Sequence, residues 1–221
     1  MACSVAIDGP AGAGKSTIAK SVANKLQYIY VDTGAMYRAM AIYFIKNKID
    51  PTDEDAINNA CENVNITIEY LNGEQQVILN GENITSVLRN EEVGKIASKT
   101  SIYAKVRTKL VELQRELAST KDVIMDGRDI GTTVLPNANV KIYLTASVEA
   151  RASRRYKELV EKGECPDFDV IKNDIENRDY QDMNRENSPL RQADDAVLVD
   201  SSNINIEETI ETIIKSINKK I

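Results

Sequence analysis

The stretch VAIDGPAGAGKSTIAK, Val5 to Lys20, decides the fold. A short apolar run, Ser4–Ile7, enters a glycine-rich turn, and apolar residues then recur at helical spacing (Ile18, Val22, Leu26) across Thr17–Leu26. Gly9, four residues, Gly14, Lys15 and Ser16 match the phosphate-loop pattern G-x-x-x-x-G-K-[ST]. The physical logic is local. Glycines reach backbone angles that other residues resist, so successive amide N–H groups can turn inward. With the positive end of the following helix they make an anion cradle. In such a cradle Gly9, Pro10, Ala11, Gly12, Ala13, Gly14, Lys15, Ser16 and Thr17 wrap a triphosphate. Lys15, read as a solvent-facing loop lysine, reaches the outer phosphates, and the Ser16 hydroxyl sits on Mg²⁺.

Composition narrows the setting. The chain has 221 residues, 42% of them hydrophobic and 28% charged, with a formal net charge of −6. That balance suits one ample core and argues against a general nucleic-acid binder. No apolar run approaches a membrane span, and Met1-Ala2-Cys3 leads straight into the first strand, so a cytoplasmic protein without membrane partners is expected. Cys3, Cys61 and Cys165 are odd in number and widely spaced, which suggests neither a disulfide framework nor a zinc site. Histidine is absent, which removes Ser-His-Asp and Cys-His chemistry. Lysine, arginine, aspartate, hydroxyls and a metal ion must do the work.

Strand-like and helical segments alternate, the signature of an α/β fold with a parallel sheet. Strands are expected at Ser4–Ile7, Tyr28–Val31, Val123–Met125, Val140–Leu144 and Ala196–Val199, and helices at Met36–Lys46, Asn90–Ser101, Ala104–Leu117, Val148–Val160, Val170–Asn184 and Ile206–Asn218. Asn65–Tyr70 and Gln76–Leu79 flank a Leu-Asn-Gly-Glu hairpin turn, with Ile84-Thr85 as a third short strand. The expected organisation is a single domain. It has a core of residues 1–62 and 88–221 and an inserted antiparallel β subdomain at about 63–87. Asn47-Lys48-Ile49-Asp50 matches a guanine-reading motif, but it follows an amphipathic helix and runs into Pro51, so it reads as a solvated helix end.

Arginines recur where a second phosphate could sit. Arg38 lies one turn into a helix after Thr33-Gly34, and Arg128 and Asp129 stand on a glycine-flanked loop after a strand ending at Asp126. Arg151, Arg154 and Arg155 share one helical face, as do Arg178, Asp182 and Arg185. Solvated salt-bridge faces, with Glu158 on Arg154 or Arg155 and Asp182 on Arg178 or Arg185, are the readier account of the two helical stripes. The loop arginines are harder to explain that way, because ligands of open α/β sheets bind at the strands' C-terminal edge.

In chain order, IDGPAGAGKST, DTGAMYRA, SKTSIYAKVR, MDGRDIGT, KIYLTASVEARASRR and RDYQDMNRENSPL resemble the bacterial cytidylate kinases over essentially the whole chain. The resemblance implies a parallel-sheet phosphate-loop kinase core, flanked by helices, with a short helical lid at about 148–166. It implies transfer of the γ-phosphoryl of ATP to CMP or dCMP with Mg²⁺, by a monomer whose partners are small molecules and not nucleic acid. Lys15, Arg128, Arg154 and Arg155 then carry the transfer, and Ser16 and Asp126 hold the metal. Arg38, Arg128 and Arg178 clamp the acceptor phosphate. Thr33, Ser98, Arg107 and Asp129 read the cytosine, and Asp182 with Arg178 holds the sugar. Two alternatives stay open on the residues alone. One is another acceptor, such as UMP, dTMP or a hydroxyl compound for which Asp129 would act as base. The other is a nucleotide switch without a second substrate.

Overall fold

The computed structural model describes residues 2–221. In chain order the strands are β1 (Ser4–Asp8), β2 (Ile29–Asp32), β3 (Ile66–Leu71), β4 (Glu74–Leu79), β5 (Glu82–Asn83), β6 (Val123–Gly127), β7 (Val140–Thr145) and β8 (Val197–Asp200). The helices are α1 (Lys15–Leu26), α2 (Thr33–Lys46), α3 (Glu54–Glu62), α4 (Glu91–Thr100), α5 (Ala104–Thr120), α6 (Val148–Glu161), α7 (Phe168–Asn184) and α8 (Ile206–Asn218). Five strands form an all-parallel sheet in the order β2-β6-β1-β7-β8, and β3-β4-β5 form a separate antiparallel sheet.

Helices cover both faces of the parallel sheet, so its central strands read as continuous apolar runs. On one face Ile18 and Val22 of α1 and Ile210, Ile213 and Ile217 of α8 pack on Val5, Ile7, Ile142 and Leu144. On the other, Met36, Met40 and Phe44 of α2 meet Val106 and Leu110 of α5 and Met125 of β6. Val77, Leu79 and Ile84 of the antiparallel region join that same core. Strand register then sets up the site. Asp32 pairs with Asp126 across β2 and β6, and Asp8 pairs with Gly127 across β1 and β6. Three carboxylates therefore reach the strands' C-terminal edge together.

Several boundaries differ from the sequence expectation, each for a local reason. Helix α2 begins at Thr33 rather than Met36, because Asp32 caps it by accepting the Ala35 amide at 3.0 Å. Helix α7 likewise starts at Phe168 behind the Asp167 cap. Helix α3 was not expected; Asp53 caps it through the Ala56 amide, and Ile57, Ala60 and Cys61 bury one face. The third strand lies at Glu82–Asn83, not Ile84-Thr85, and Thr85–Val87 forms a 3-10 turn. Its cause is a second Asn-Gly pair: Asn80 and Gly81 have φ of 49° and 86°, matching the 52° and 80° of Asn72 and Gly73. Both pairs fit two-residue hairpin turns, so β5 follows at once. Asn47 caps the end of α2 and its side-chain amide donates to Tyr43 O, as a helix end rather than a base-reading motif would.

Candidate active site

The phosphate loop joins β1 to α1. A β-carbon on Gly9 would stand 1.9 Å from Leu144 O, so only glycine lets the loop pass β7. Gly14, at φ 83°, turns the chain into α1. Lys15 is not solvent-facing: it is 6% exposed, and its Nζ donates to Pro10 O at 2.7 Å. Burial, followed by the nearby Arg128 charge, pulls its pKa down to about 7. Asp126, Asp182 and Asp8 pull the other way but do not offset the burial.

Beside it, the Ser16 hydroxyl donates to Asp126 Oδ2 at 3.0 Å, and Tyr30 OH donates to Asp126 Oδ1 at 2.9 Å. Burial and then Asp32 push the Asp126 carboxyl up to about 6. A hydroxyl and a carboxylate so paired are the oxygen donors Mg²⁺ prefers when substrate phosphates and water complete its shell. Among the described residues no group of three or more acidic, cysteine or histidine side chains makes an all-protein cage. Ser16 and Asp126 are thus a partial oxygen donor set that fits a hard cation such as Mg²⁺.

Asp8, at the end of β1, accepts the amides of Ile130 and Gly131, both at 2.7 Å. It thereby fixes a tight π-turn, Ile130–Val134, directly after Arg128 and Asp129. Burial pushes Asp8 up to about 6, against the pull of those two amides. The folded value lies above the unfolded one. Between about pH 4 and 6 the native chain thus keeps a proton that the unfolded chain has released. This contribution to stability is complete below pH 4 and is lost as pH rises through 6. Urea unfolding across that window should show wild-type stability falling relative to Asp8→Asn, and parallel curves would refute the assignment. Asp8→Ala, which leaves two buried amides unpaired, should cost about 2–5 kcal/mol.

The second half of the site is a charged cluster. Asp129 pairs with Arg107 of α5, and Arg185 lies 3.4 Å from its other oxygen. Arg107 also sits over the Tyr37 ring, 5.8 Å from its centroid, and donates to Ser101 O at 3.3 Å, beside half-buried Ser98 of α4. Asp182 pairs with Arg128 at 2.8 Å and with Arg185 at 3.9 Å. Burial alone would raise the Asp182 carboxyl, but Arg128 holds it below the usual range. Neither Arg38 nor Arg178 forms a salt bridge among the described residues. Arg178 Nε is buried without a partner, and burial, then Arg128, pulls its pKa down to about 10. Arg38 adds further repulsion on Arg178. Three guanidiniums share a space that holds too little negative charge.

The remaining candidates fall as follows. The Thr33 hydroxyl donates to Asp126 O at 2.6 Å, which leaves its lone pairs as acceptors. Arg154 donates to Ser201 O at 2.5 Å and Ser201 Oγ at 3.3 Å. Arg155 forms a solvent-side pair with Glu158 at 3.0 Å, of the kind that adds little stability. Arg151, grouped with these two in the sequence, instead turns inward and is buried. Sequence reasoning missed Asp8, whose place before a phosphate loop looks like ordinary strand, and Tyr30. It placed Arg185 on the right stripe without a role, although the short spacing to Asp182 was the available signal.

A parallel sheet in the order β2-β6-β1-β7-β8, a phosphate loop after its central strand and a second cationic space at the same edge define a phosphate-loop kinase fold. The same fold occurs in a gluconokinase from Sinorhizobium meliloti 1021, with a TM-score of 0.51 and 12% identity over 98% of this chain and 92% of that one. Within that class the family model for cytidylate kinase matches residues 5–219, and the chain belongs to the cytidylate kinase family. The cytidylate kinase of Lactobacillus johnsonii is 51% identical over 216 residues, covering 98% of this chain and 94% of that protein. The cytidylate kinase of Leuconostoc mesenteroides subsp. mesenteroides is 51% identical over 217 residues, covering 98% and 97%.

Proposed function

We infer that this kinase transfers the γ-phosphoryl group of ATP to CMP or dCMP, giving ADP and CDP or dCDP. The observation that carries the two-substrate reading is Arg178. Its Nε is buried without a partner while the charges of Arg128 and Arg38 repel it, an arrangement that calls for a second anion next to the phosphate loop. A nucleotide switch has no use for that space.

Gly9 to Thr17 hold the ATP phosphates, and Lys15 leaves Pro10 O to meet the moving phosphoryl group. Ser16 and Asp126 would hold Mg²⁺, which when bound would neutralise phosphate charge. Arg38, Arg128 and Arg178 clamp the acceptor phosphate and turn one of its oxygens toward ATP. That oxygen is already ionised near neutral pH, so no general base is needed. This suits a site without histidine, where positioning and charge stabilisation supply most of the catalysis. Arg154 and Arg155 close over the donor and exclude water. Residues for both substrates come from one chain, so no second copy is needed to complete the site. No described helix is long and apolar enough to cross a membrane.

Thr33, Ser98, Arg107 and Asp129 read cytosine, and Arg185 belongs beside them. A carboxylate offers about four acceptor positions. Asp129, held by two arginines, therefore keeps lone pairs for the cytosine amine, which uracil lacks. Asp182, aligned by Arg128, takes the sugar. An ADP-release assay over a panel of nucleoside monophosphates should show CMP and dCMP far ahead of UMP, dTMP and AMP. Asp129→Ala should shrink the CMP-to-UMP ratio of kcat/KM by about 10–100-fold, the scale of one good base contact. Asp182→Ala should lower both nucleotides alike. Equal turnover of UMP by the wild type would refute base reading here.

A further inference from the structure

We propose that Arg151 and Asp179 form a strut that fixes helix α7 against the phosphate loop, and so sets the distance between the donor and acceptor phosphates. The proposal rests on the reading of α7 as the acceptor-binding helix. Both would be positioning residues.

Arg151, on the first turn of α6, is 4% exposed and directs every nitrogen of its guanidinium at protein. Nε donates to Ala146 O at 2.9 Å, which locks the side chain to the end of its own strand–helix connection. Nη1 donates to Ala11 O in the phosphate loop at 2.9 Å. Nη2 pairs with Asp179 Oδ2 of α7 at 2.6 Å. A β-carbon on Gly12 would already stand 3.5 Å from Arg151 Cβ, so α6 lies directly on the loop. Asp179 is buried and immediately follows Arg178, and Asp182 comes one turn later on the same helix. One guanidinium therefore connects the loop that holds ATP to the helix that holds the acceptor.

Chemistry explains the residue choice. A guanidinium presents five donors in a fixed planar fork and can serve three acceptors in different directions; a lysine amine on a flexible stem cannot hold that geometry. The other oxygen of Asp179, Oδ1, is buried with no partner, so the carboxylate hangs on Arg151 as its anchor. Buried ion pairs are poor sources of stability but good at fixing one arrangement. The arrangement fixed here is the separation of two phosphates that must meet in line. A misplacement of about 1 Å can cost on the order of 100-fold in rate.

The test uses Arg151→Lys and Asp179→Asn in the full chain. Calorimetric titration with the non-hydrolysable analogue AMP-PNP counts competent sites. AMP-PNP and CMP dissociation constants, each measured alone, should stay within about threefold of wild type, while kcat per competent site falls by about 10–100-fold. With AMP-PNP bound, amides of residues 168–184 should exchange with deuterium about tenfold faster than in the wild type, and those of α1 should match it. Unchanged kcat and unchanged exchange in α7 would overturn the strut. So would loss of AMP-PNP binding in Arg151→Lys, which would place Arg151 in the donor site. The exchange measurement needs no acceptor. If the wild type failed to phosphorylate CMP, the acceptor reading would fall while the exchange data still judged the strut.

Discussion

Lys15→Ala should lower kcat for CMP phosphorylation by about three orders of magnitude, the scale of removing a preorganised electrostatic contact from a transferring group. The structure sharpens this expectation. Lys15 is buried in the phosphate loop, with its pKa drawn down to about 7 and its amine resting on Pro10 O. A triphosphate bound there should hold its charge at the place where charge moves. The variant should fold, because the buried amine is held at an electrostatic cost and its removal leaves only one loop carbonyl unpaired. Initial rates at saturating ATP and CMP, with melting temperatures alongside, check both halves. A folded variant that turns over at a near-normal rate would remove Lys15 from the mechanism.

Arg178→Ala should lower kcat/KM for CMP by about 100- to 1000-fold, while ATP affinity stays nearly unchanged. Truncating one member of a buried charge contact to a ligand costs about 2–5 kcal/mol, and each 1.4 kcal/mol is tenfold. Its stability should hold or rise, since Arg178 ends no salt bridge among the described residues and is repelled by the charges of Arg128 and Arg38. Arg128→Ala should give a similar kinetic loss but a lower melting temperature. It strips Asp182, a buried carboxylate, of its 2.8 Å partner. A salt-bridge role for the Arg178 stripe predicts the opposite for Arg178→Ala: lost stability and retained activity. Steady-state kinetics with CMP, nucleotide titration and thermal unfolding of the two variants separate these cases.

Much of the fold was legible because its signals are local. The parallel strands read as apolar runs, the glycine pattern between β1 and α1 names an anion cradle, and the periodic helices followed. What escaped was governed by single side chains. Helix α3 hangs on the Asp53 cap and one narrow apolar face, so its period is weak in a polar segment. The third hairpin strand starts at Glu82, before the more apolar Ile84, because the second Asn-Gly pair, Asn80-Gly81, has already turned the chain.

The site divides along the same line. The sequence by itself determined that Gly9 to Thr17 make a phosphate-loop turn between a strand and a helix, and that arginines stand at strand ends with no histidine to share the work. A phosphate loop is a contiguous stretch whose backbone makes the site, so its chemistry is written in order. The pairings were another matter. Asp182 could equally have met Arg178 or Arg185 on its own helix, yet it meets Arg128 from across the fold, which leaves Arg178 free for an anion. Arg151, Arg154 and Arg155 share a face and look alike in sequence; only packing turns Arg151 onto the phosphate loop and leaves Arg155 at the surface. Helical spacing fixes which charges can be neighbours on one element. Which of them is satisfied is decided by charges from distant elements, and these converge only when the parallel sheet brings its strand ends to one edge.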